Sequence, residues 1–436
     1  MLVVPPYPDL YSAQAIKTPE YSAPPLGLAY IGAVLLNNEY KVAIYDMHIE
    51  VAVIEEIVTK FREIRPRLIG LTATTPAFPN AVLIAKLLKA YAPDVKIVIG
   101  GAHATSLPTE CAKIGVFDFV VVGEGENTML KLTNFLLRNE GEVNQITGIV
   151  YNNGVGIVKQ LFSKQKSKNL DYLSYPAREL LKMDLYFQKG SIISSRGCPY
   201  ACTYCACPLI TGRKYRTHSI DYVLNEISFL QKQYNLTYFD FHDDTFNYSS
   251  KRVLEFSKKI IDRKMNFKWG CFCRVTNFNI EVANAMKSSG CEIIQFGVES
   301  GNQNVLDKIK KKIKLEDIKN AIATAKEAGI KQIACGFIIG HSIDTEESIN
   351  ETIEFGVELA DIGATHLAIS ILTPYPGTEE YINMDVNGVK FITNDWEQFI
   401  FSRVVIETRN LTKEKLRELY AIGVYRFLKA THNLNK

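Results

Sequence analysis

Four cysteines, Cys198, Cys202, Cys205 and Cys207, fall within the segment SSRGCPYACTYCACP at residues 194–208. Thiolates are soft ligands, so a cluster this tight points first to a metal. A structural zinc site takes four ligands, usually as two pairs well separated in sequence. No second C-x2-C pair follows, and Cys271 and Cys273 stand one residue apart. Inert buried thiols are the plain alternative, but four of them beside two prolines and a glycine do not read as core packing. An iron–sulfur cluster on the C-x3-C-x2-C triad Cys198, Cys202 and Cys205 would leave one iron without a protein ligand. That iron could chelate a small molecule and pass it an electron. Cys207, two residues further on, is expected to point away.

Other groups carry weaker signals. The run DFHDD places Asp240, His242, Asp243 and Asp244 together as a conceivable metal site, though it reads more simply as a strand end followed by a helix cap. Glu299 by itself is an ordinary strand-end acid. Lys310, Lys311 and Lys312 read as a solvated helix face.

The elements that must position these residues alternate strand and helix along an α/β chain. In the first 140 residues or so, MLVV, KVAIYD, LIGLT, KIVIGG and FDFVVVG are near-continuous apolar runs, as in a parallel sheet covered on both faces. Helices are predicted over 26–37, 51–64, 80–91 and 127–138, giving a Rossmann-like, doubly wound domain. GIVYNNGVGIV at 148–158 is a hairpin pattern around Asn153 and Gly154, and 159–185 reads as a linker. The second half repeats the rhythm, with strands predicted at 190–194, 237–242, 268–272, 293–298, 332–339 and 366–372. Helices at about 219–234, 249–263, 279–289, 315–328 and 346–360 separate them. Six such units make a partial (β/α)6 TIM-type barrel, with reactive residues at the strand carboxyl ends. Cys198 lies just beyond the first of these strands. The expected division is 1–145, 146–185 for hairpin and linker, 186–380 for the barrel, and 381–436 for a C-terminal region, with a helix at 412–430, that shapes the substrate pocket.

GCPYACTYC resembles the cluster loop of the radical S-adenosylmethionine superfamily, with Tyr204 at the aromatic position before the last cysteine. FHDDTF, CRVTNF, IIQFGVESGNQNVLDKIKK and GFIIGHSIDTEES follow at successive strand ends, in the order that family shows. The resemblance implies that Cys198, Cys202 and Cys205 bind a 4Fe–4S cluster whose open iron takes the amino and carboxylate groups of S-adenosylmethionine. It places Tyr204, Arg274, Glu299, Ser300, Gly336 and Gly340 around that molecule: Arg274 near the carboxylate, Glu299 and Ser300 near the ribose and polar groups, and the backbone of 336–340 near the adenine. Cleavage of the sulfonium would then yield a 5′-deoxyadenosyl radical that takes hydrogen from substrate.

PPLGLAYIGAVL, YKVAIYD, IGGAHAT and DFVVVGEGENTMLKL together resemble the cobalamin-binding domain of one large branch of that superfamily. By that resemblance the cobalamin contacts are Pro25, Leu26, Gly27, Asp46, Thr72, Thr74, Gly100, Gly101, His103, Gly123, Glu124, Gly125 and Glu126. His103 is read either as lining the nucleotide-tail pocket or as a turn residue. Cobalamin proteins that ligate cobalt through histidine resemble a D-x-H-x-x-G pattern after the first strand. PPYPDLYS stands there instead, so a lower cobalt face without protein imidazole is expected, with His48 read as a surface loop residue.

A net charge of +3 over 436 residues gives nucleic acid no basic surface to bind. No apolar run reaches the ~18 residues of a membrane span. The start of the chain reads as a strand, without a signal-peptide core. Nine cysteines, five of them scattered in apolar surroundings, suit a reducing cytoplasm. The expected activity is a cobalamin-dependent radical methyltransferase acting on an unactivated carbon of a small-molecule or peptide substrate, with an external electron donor such as flavodoxin or ferredoxin. A radical cyclase or rearrangement enzyme with the same cofactors is the alternative. A methylthio-transferring enzyme fits poorly, because the first 140 residues hold only Cys111. A zinc-stabilised binding protein is the alternative outside enzymes.

Overall fold

Alternate residues of the first sheet bury into two separate cores, which is what continuous apolar strands require. In the computed structural model, which describes residues 1–7, 22–160 and 169–432, Ile97 and Ile99 pack with Phe78, Ile84 and Leu88 on one face. Val98 packs with Val121, Met129 and Leu132 on the other. The strands are β1 (Leu2–Val4), β2 (Ile44–Asp46), β3 (Leu68–Thr72), β4 (Lys96–Gly100), β5 (Phe119–Val121), β6 (Ile149–Asn152) and β7 (Ile157–Gln160). They lie in the order β2-β1-β3-β4-β5-β6-β7, the first five parallel. The direction of winding reverses between β1 and β3, the position at which open α/β sheets bind ligands outside their strand carboxyl ends. The segment 8–12 of PPYPDLYS, and 161–168 of the expected linker, lie outside the described residues.

The hairpin assigned to the linker belongs to this sheet. β6 pairs antiparallel with β5, and β7 with β6. An exposed β5 edge would leave unpaired backbone groups, and the hairpin covers it. The second helix starts at Glu56, five residues later than predicted, because Val51 adopts a left-handed φ of 54°.

A second compact unit comprises residues 190–208, 212–394 and 400–436. Its strands are β8 (Ser191–Ile192), β9 (Ser195–Arg196), β10 (Arg216–Thr217), β11 (Tyr238–Phe241), β12 (Lys268–Cys273), β13 (Cys291–Glu299), β14 (Gln332–Ile339), β15 (His366–Ile371), β16 (Lys390–Phe391) and β17 (Ile406–Glu407). β8 and β11 to β15 form one parallel sheet in sequence order, the arrangement of a partial barrel. β9–β10 and β16–β17 are short antiparallel pairs.

Helices Ile220–Tyr234, Ser250–Asp262, Ile280–Ser288 and Glu346–Ile362 begin at Ser219, Ser249, Asn279 and Thr345, whose side chains accept from backbone N–H groups of the first turn. These caps fix where each helix starts, and so the length of the loop above each strand. The last helix, Lys413–His432, packs against Glu346–Ile362 and β15. Gly356 has no room for a Cβ, which would lie 2.3 Å from the Phe427 ring.

Candidate active site

The cysteine loop leaves β9 through Gly197, whose φ is +95° and whose Cβ would strike the Lys214 carbonyl oxygen at 2.2 Å. No other residue fits there. The DFHDD run holds the loop from beneath. Asp243, fully buried, accepts from Ser194 N at 2.7 Å, Ser194 Oγ at 2.6 Å, Ser195 N at 3.1 Å and Ser195 Oγ at 2.6 Å. Burial pushes its carboxyl above the ordinary range, against those donors. Asp244 accepts from Gly197 N at 3.0 Å. From the other side Thr203 N donates to the Ile309 carbonyl at 3.1 Å, and Thr203 Oγ1 to Glu380 at 2.8 Å. The neighbouring Asp240 accepts from the Tyr238 hydroxyl at 3.1 Å.

None of the four loop thiols is in a disulfide, and all four are half-buried. Cys198 Sγ lies 3.8 Å from Thr245 Oγ1, and burial raises its pKa. Cys202 Sγ lies 3.9 Å from Arg274 Nη1. Cys207 does not point away: its thiol is hydrogen-bonded to Cys205, because the short helix Cys207–Ile210 begins there and turns it back. That bond lowers the Cys205 pKa to about 7 and raises that of Cys207. Among the described residues no three His, Cys, Asp or Glu side chains converge where a single ion would sit. A four-iron cluster asks for something else, because each thiolate binds its own iron.

A charged wall faces the loop. Glu299, at the end of β13, has a left-handed φ of 71°, where the register with β14 also shifts. Such strain in a non-glycine residue persists only where the surroundings enforce it, and it gathers at functional sites. Lys311 Nζ lies 2.6 Å from Glu299 Oε1 and 3.3 Å from the Tyr204 hydroxyl. Burial, then the Glu299 charge, raises the Tyr204 pKa. The solvated helix face expected at 310–312 is corrected here. The helix stops at Lys308, and Lys310 and Lys312 are exposed in left-handed conformations that turn Lys311 inward to 5% exposure. Arg274, also buried, stacks on Tyr200 with its guanidinium carbon 3.7 Å from the ring centroid, and donates to the Lys311 carbonyl. Its Nε has no hydrogen-bond partner.

The structure therefore brings Cys202, Tyr204, Arg274 and Glu299 together, and adds Lys311 and Tyr200. Gly336 lies within β14, where an added Cβ would meet nothing nearer than the Phe296 carbonyl at 3.9 Å. Gly340, φ +89°, closes that strand and donates to Asp344 at 2.9 Å. The Ser300 hydroxyl is engaged elsewhere, 3.0 Å from Thr352 Oγ1 and accepting from Asn302 N at 3.1 Å. Lys311, expected on a solvated face, and His341, not singled out in the sequence, are the additions here. The second follows Gly340 directly, and its place after a strand-ending glycine was the available signal.

In the first unit the cobalamin candidates all lie at or beyond strand carboxyl ends. Pro25, Leu26 and Gly27 open the first helix, with Gly27 exposed and nothing within 4 Å of an added Cβ. Thr72 ends β3, and Thr74 donates to the Tyr7 hydroxyl at 2.9 Å. Gly100 and Gly101 end β4, and Gly123, Glu124, Gly125 and Glu126 connect β5 to the helix Glu126–Arg138. Among the candidates Leu26, Asp46, His103 and Glu126 are buried, and the surroundings of two of them are defined. Asp46 is buried and accepts from the Tyr186 hydroxyl at 2.8 Å and from His48 N and Ile49 N, both at 3.1 Å. His103, in the helix Ala102–Ser106 rather than a turn, is 2% exposed. It stacks on Phe78 at 4.0 Å and meets Trp396 edge-on at 5.4 Å. Burial lowers its pKa to about 4.

The profile of the radical SAM superfamily matches residues 192–356, and that of the B12 binding domain matches residues 15–133. An uncharacterised methyltransferase of Pyrococcus horikoshii is 34% identical over 406 residues, covering 91% of this chain and 86% of that protein. The anaerobic magnesium-protoporphyrin IX monomethyl ester cyclase of Rubrivivax gelatinosus is 26% identical over 416 residues, covering 93% of this chain and 73% of the cyclase. Among solved structures, the radical S-adenosylmethionine methyltransferase TsrM of Kitasatospora setae, with cobalamin and a 4Fe–4S cluster bound, superposes with a TM-score of 0.75 at 19% identity. That superposition covers 92% of this chain and 82% of TsrM, and at this identity the likeness is one of fold.

Proposed function

The chain belongs to the radical S-adenosylmethionine superfamily, in the branch that carries a B12 binding domain, and from that premise we propose a methyltransferase that acts on a carbon of a small-molecule or peptide substrate. Its cofactors are a 4Fe–4S cluster, S-adenosylmethionine and cobalamin. Bound together, they supply homolytic cleavage of a sulfonium and a transferable methyl group.

The observation that carries the reading is the meeting of the three-cysteine loop with a buried, charged wall. Cys198, Cys202 and Cys205 would hold the cluster. Two cations, Arg274 and Lys311, and one anion, Glu299, match the charges of an amino-acid head group, one carboxylate and one ammonium. Their burial strengthens each interaction by removing competing water. The unmet Arg274 Nε is a donor ready for such a ligand. The open strand beside Gly336 leaves space for a flat base. Asp243, Asp244 and Glu380 hold the loop rigid while the ligand is oriented. In the first unit, Gly27, Thr74, Gly100, Gly101 and the 123–126 segment would line the cobalamin edge, whereas Asp46 and His103 support it from within.

An external donor of the flavodoxin or ferredoxin kind would deliver the electron. Among the described residues no helix is long and apolar enough to cross a membrane.

The test is anaerobic turnover with the reconstituted protein, scored by product mass and by co-products. Methyl transfer yields S-adenosylhomocysteine with 5′-deoxyadenosine, and a substrate heavier by one methyl group. The likeness to a cyclase gives a second reading, in which 5′-deoxyadenosine forms with neither S-adenosylhomocysteine nor a mass gain of that kind.

A further inference from the structure

His341 stands directly after Gly340 at the carboxyl end of β14, and it is fully buried, with 0% exposure. Neither of its ring nitrogens has a hydrogen-bond partner. The turn that carries it is fixed from behind: Gly340 N and His341 N both donate to Asp344 Oδ2 at 2.9 Å. Asp344 Oδ1 in turn accepts from Ser348 Oγ at 2.7 Å, and the Asp344 carbonyl from Asn410 at 3.0 Å. The imidazole is therefore held in place by its backbone while its own polar atoms are left unmet.

Its ring meets Tyr204 edge-on, with centroids 5.7 Å apart. Tyr204 lies between Cys202 and Cys205 and reaches Lys311 with its hydroxyl. His341 thus belongs to the wall shared by the cysteine loop, the Glu299–Lys311 pair and the end of β14. A buried donor or acceptor left unsatisfied costs about 1–3 kcal/mol, and an imidazole carries one of each. A leucine or phenylalanine would fill the space without that cost. A doubly unpartnered histidine beside a ligand site calls for a partner that arrives with the ligand.

We propose that His341 hydrogen-bonds to the adenine of bound S-adenosylmethionine and so reads the base through a side chain. The inference rests on the radical S-adenosylmethionine reading given above. The charged groups Arg274, Lys311 and Glu299 match the methionine half of that molecule. An imidazole with one donor and one acceptor matches the purine edge, which offers both. Within β14, Gly336 leaves room for the ring, an added Cβ meeting nothing nearer than the Phe296 carbonyl at 3.9 Å. Binding would take a rotation of His341 or of Tyr204 to bring a ring nitrogen to the base.

The test uses full-length protein with its cluster reconstituted anaerobically, iron content measured, and equilibrium binding of S-adenosylhomocysteine and of S-inosylhomocysteine, in which the base is deaminated. Wild type binds the adenine form more tightly. His341→Leu weakens that binding on the order of tenfold and binds the two compounds with nearly equal affinity, at full iron content. His341→Asn, which keeps a donor and an acceptor, restores part of the preference and serves if the leucine variant fails to fold. Variants that keep the wild-type preference overturn the proposal, as do variants that lose only thermal stability. Wild type that loads its cluster yet binds neither compound would instead overturn the reading on which the proposal rests.

Discussion

Lys311 Nζ lies 2.6 Å from Glu299 Oε1, with side chains 6% and 11% exposed. The pair sits directly over Gly297, where an added Cβ would meet Glu299 Oε1 at 2.5 Å and Lys311 Nζ at 2.9 Å. Removing one partner of a buried pair strands the other charge, at a cost of about 3–5 kcal/mol. Lys311→Met is expected to lower unfolding stability by that order. The double variant Glu299→Gln/Lys311→Met should recover a large share of the loss, while S-adenosylmethionine binding stays weak in both. Denaturant melts and equilibrium binding on the three proteins check this. Full stability in Lys311→Met would mean that the pair is open to water.

The four loop cysteines should separate into three and one. Cys198→Ala, Cys202→Ala and Cys205→Ala should each lose most cluster iron and the broad charge-transfer absorbance, with 5′-deoxyadenosine formation down by more than the ~10²-fold that loss of an outer-shell partner alone can cost. Cys207→Ala keeps its iron, because the thiol acts on Cys205 through a hydrogen bond. An iron-free Cys207→Ala protein would make that residue a fourth ligand and remove the open iron from the account.

The strands that position this site were legible in the sequence because burial on both faces demands unbroken β-branched runs. β14 was read residue for residue as 332–339 from QIACGFII. The cysteine loop was legible through spacing alone. Lys311 was not, since its burial follows from left-handed turns at Lys310 and Lys312, and a run of three lysines gives no sign of which one faces inward. The place of the hairpin was equally hidden: Asn153 and Gly154 announce the turn, but which sheet edge it covers depends on β5, some thirty residues earlier. The Cys207 contact depends on a single helical turn, below the resolution of periodicity.

His103 makes the stability of the protein depend on pH in a stated direction. Its folded pKa is about 4 because burial disfavours the charged ring, against an ordinary value near 6.5. The unfolded chain therefore binds the proton more readily, so stability from this group is complete above about pH 6.5 and falls as pH drops toward 4, by roughly 3 kcal/mol in all. His103→Gln removes that slope while leaving the carboxylate titrations common to both proteins. Melting curves across this range should show wild type losing stability relative to the variant as pH falls. Parallel curves for the two proteins would show that the ring is solvated.

Two glycines on the first sheet's carboxyl edge separate folding from ligand binding. Gly101 has φ +92°, and a Cβ there would lie 2.6 Å from Thr72 Oγ1 and 2.8 Å from both the nitrogen and oxygen of Ala73. Gly101→Ala must move backbone as well as strain its own, so a loss of about 2 kcal/mol or more is expected, whether or not a ligand is present. Gly27 is the contrast, because it lies in the helix Leu26–Leu36 with nothing within 4 Å of an added Cβ. Alanine there favours the helix by about 0.5–1 kcal/mol. Gly27→Ala should therefore melt at the same temperature as wild type or slightly higher. If the edge beside Gly27 carries cobalamin, the same methyl group enters the space the cofactor needs, and cobalamin retained after reconstitution and gel filtration falls severalfold. Undiminished retention in Gly27→Ala would place the cofactor away from the start of this helix.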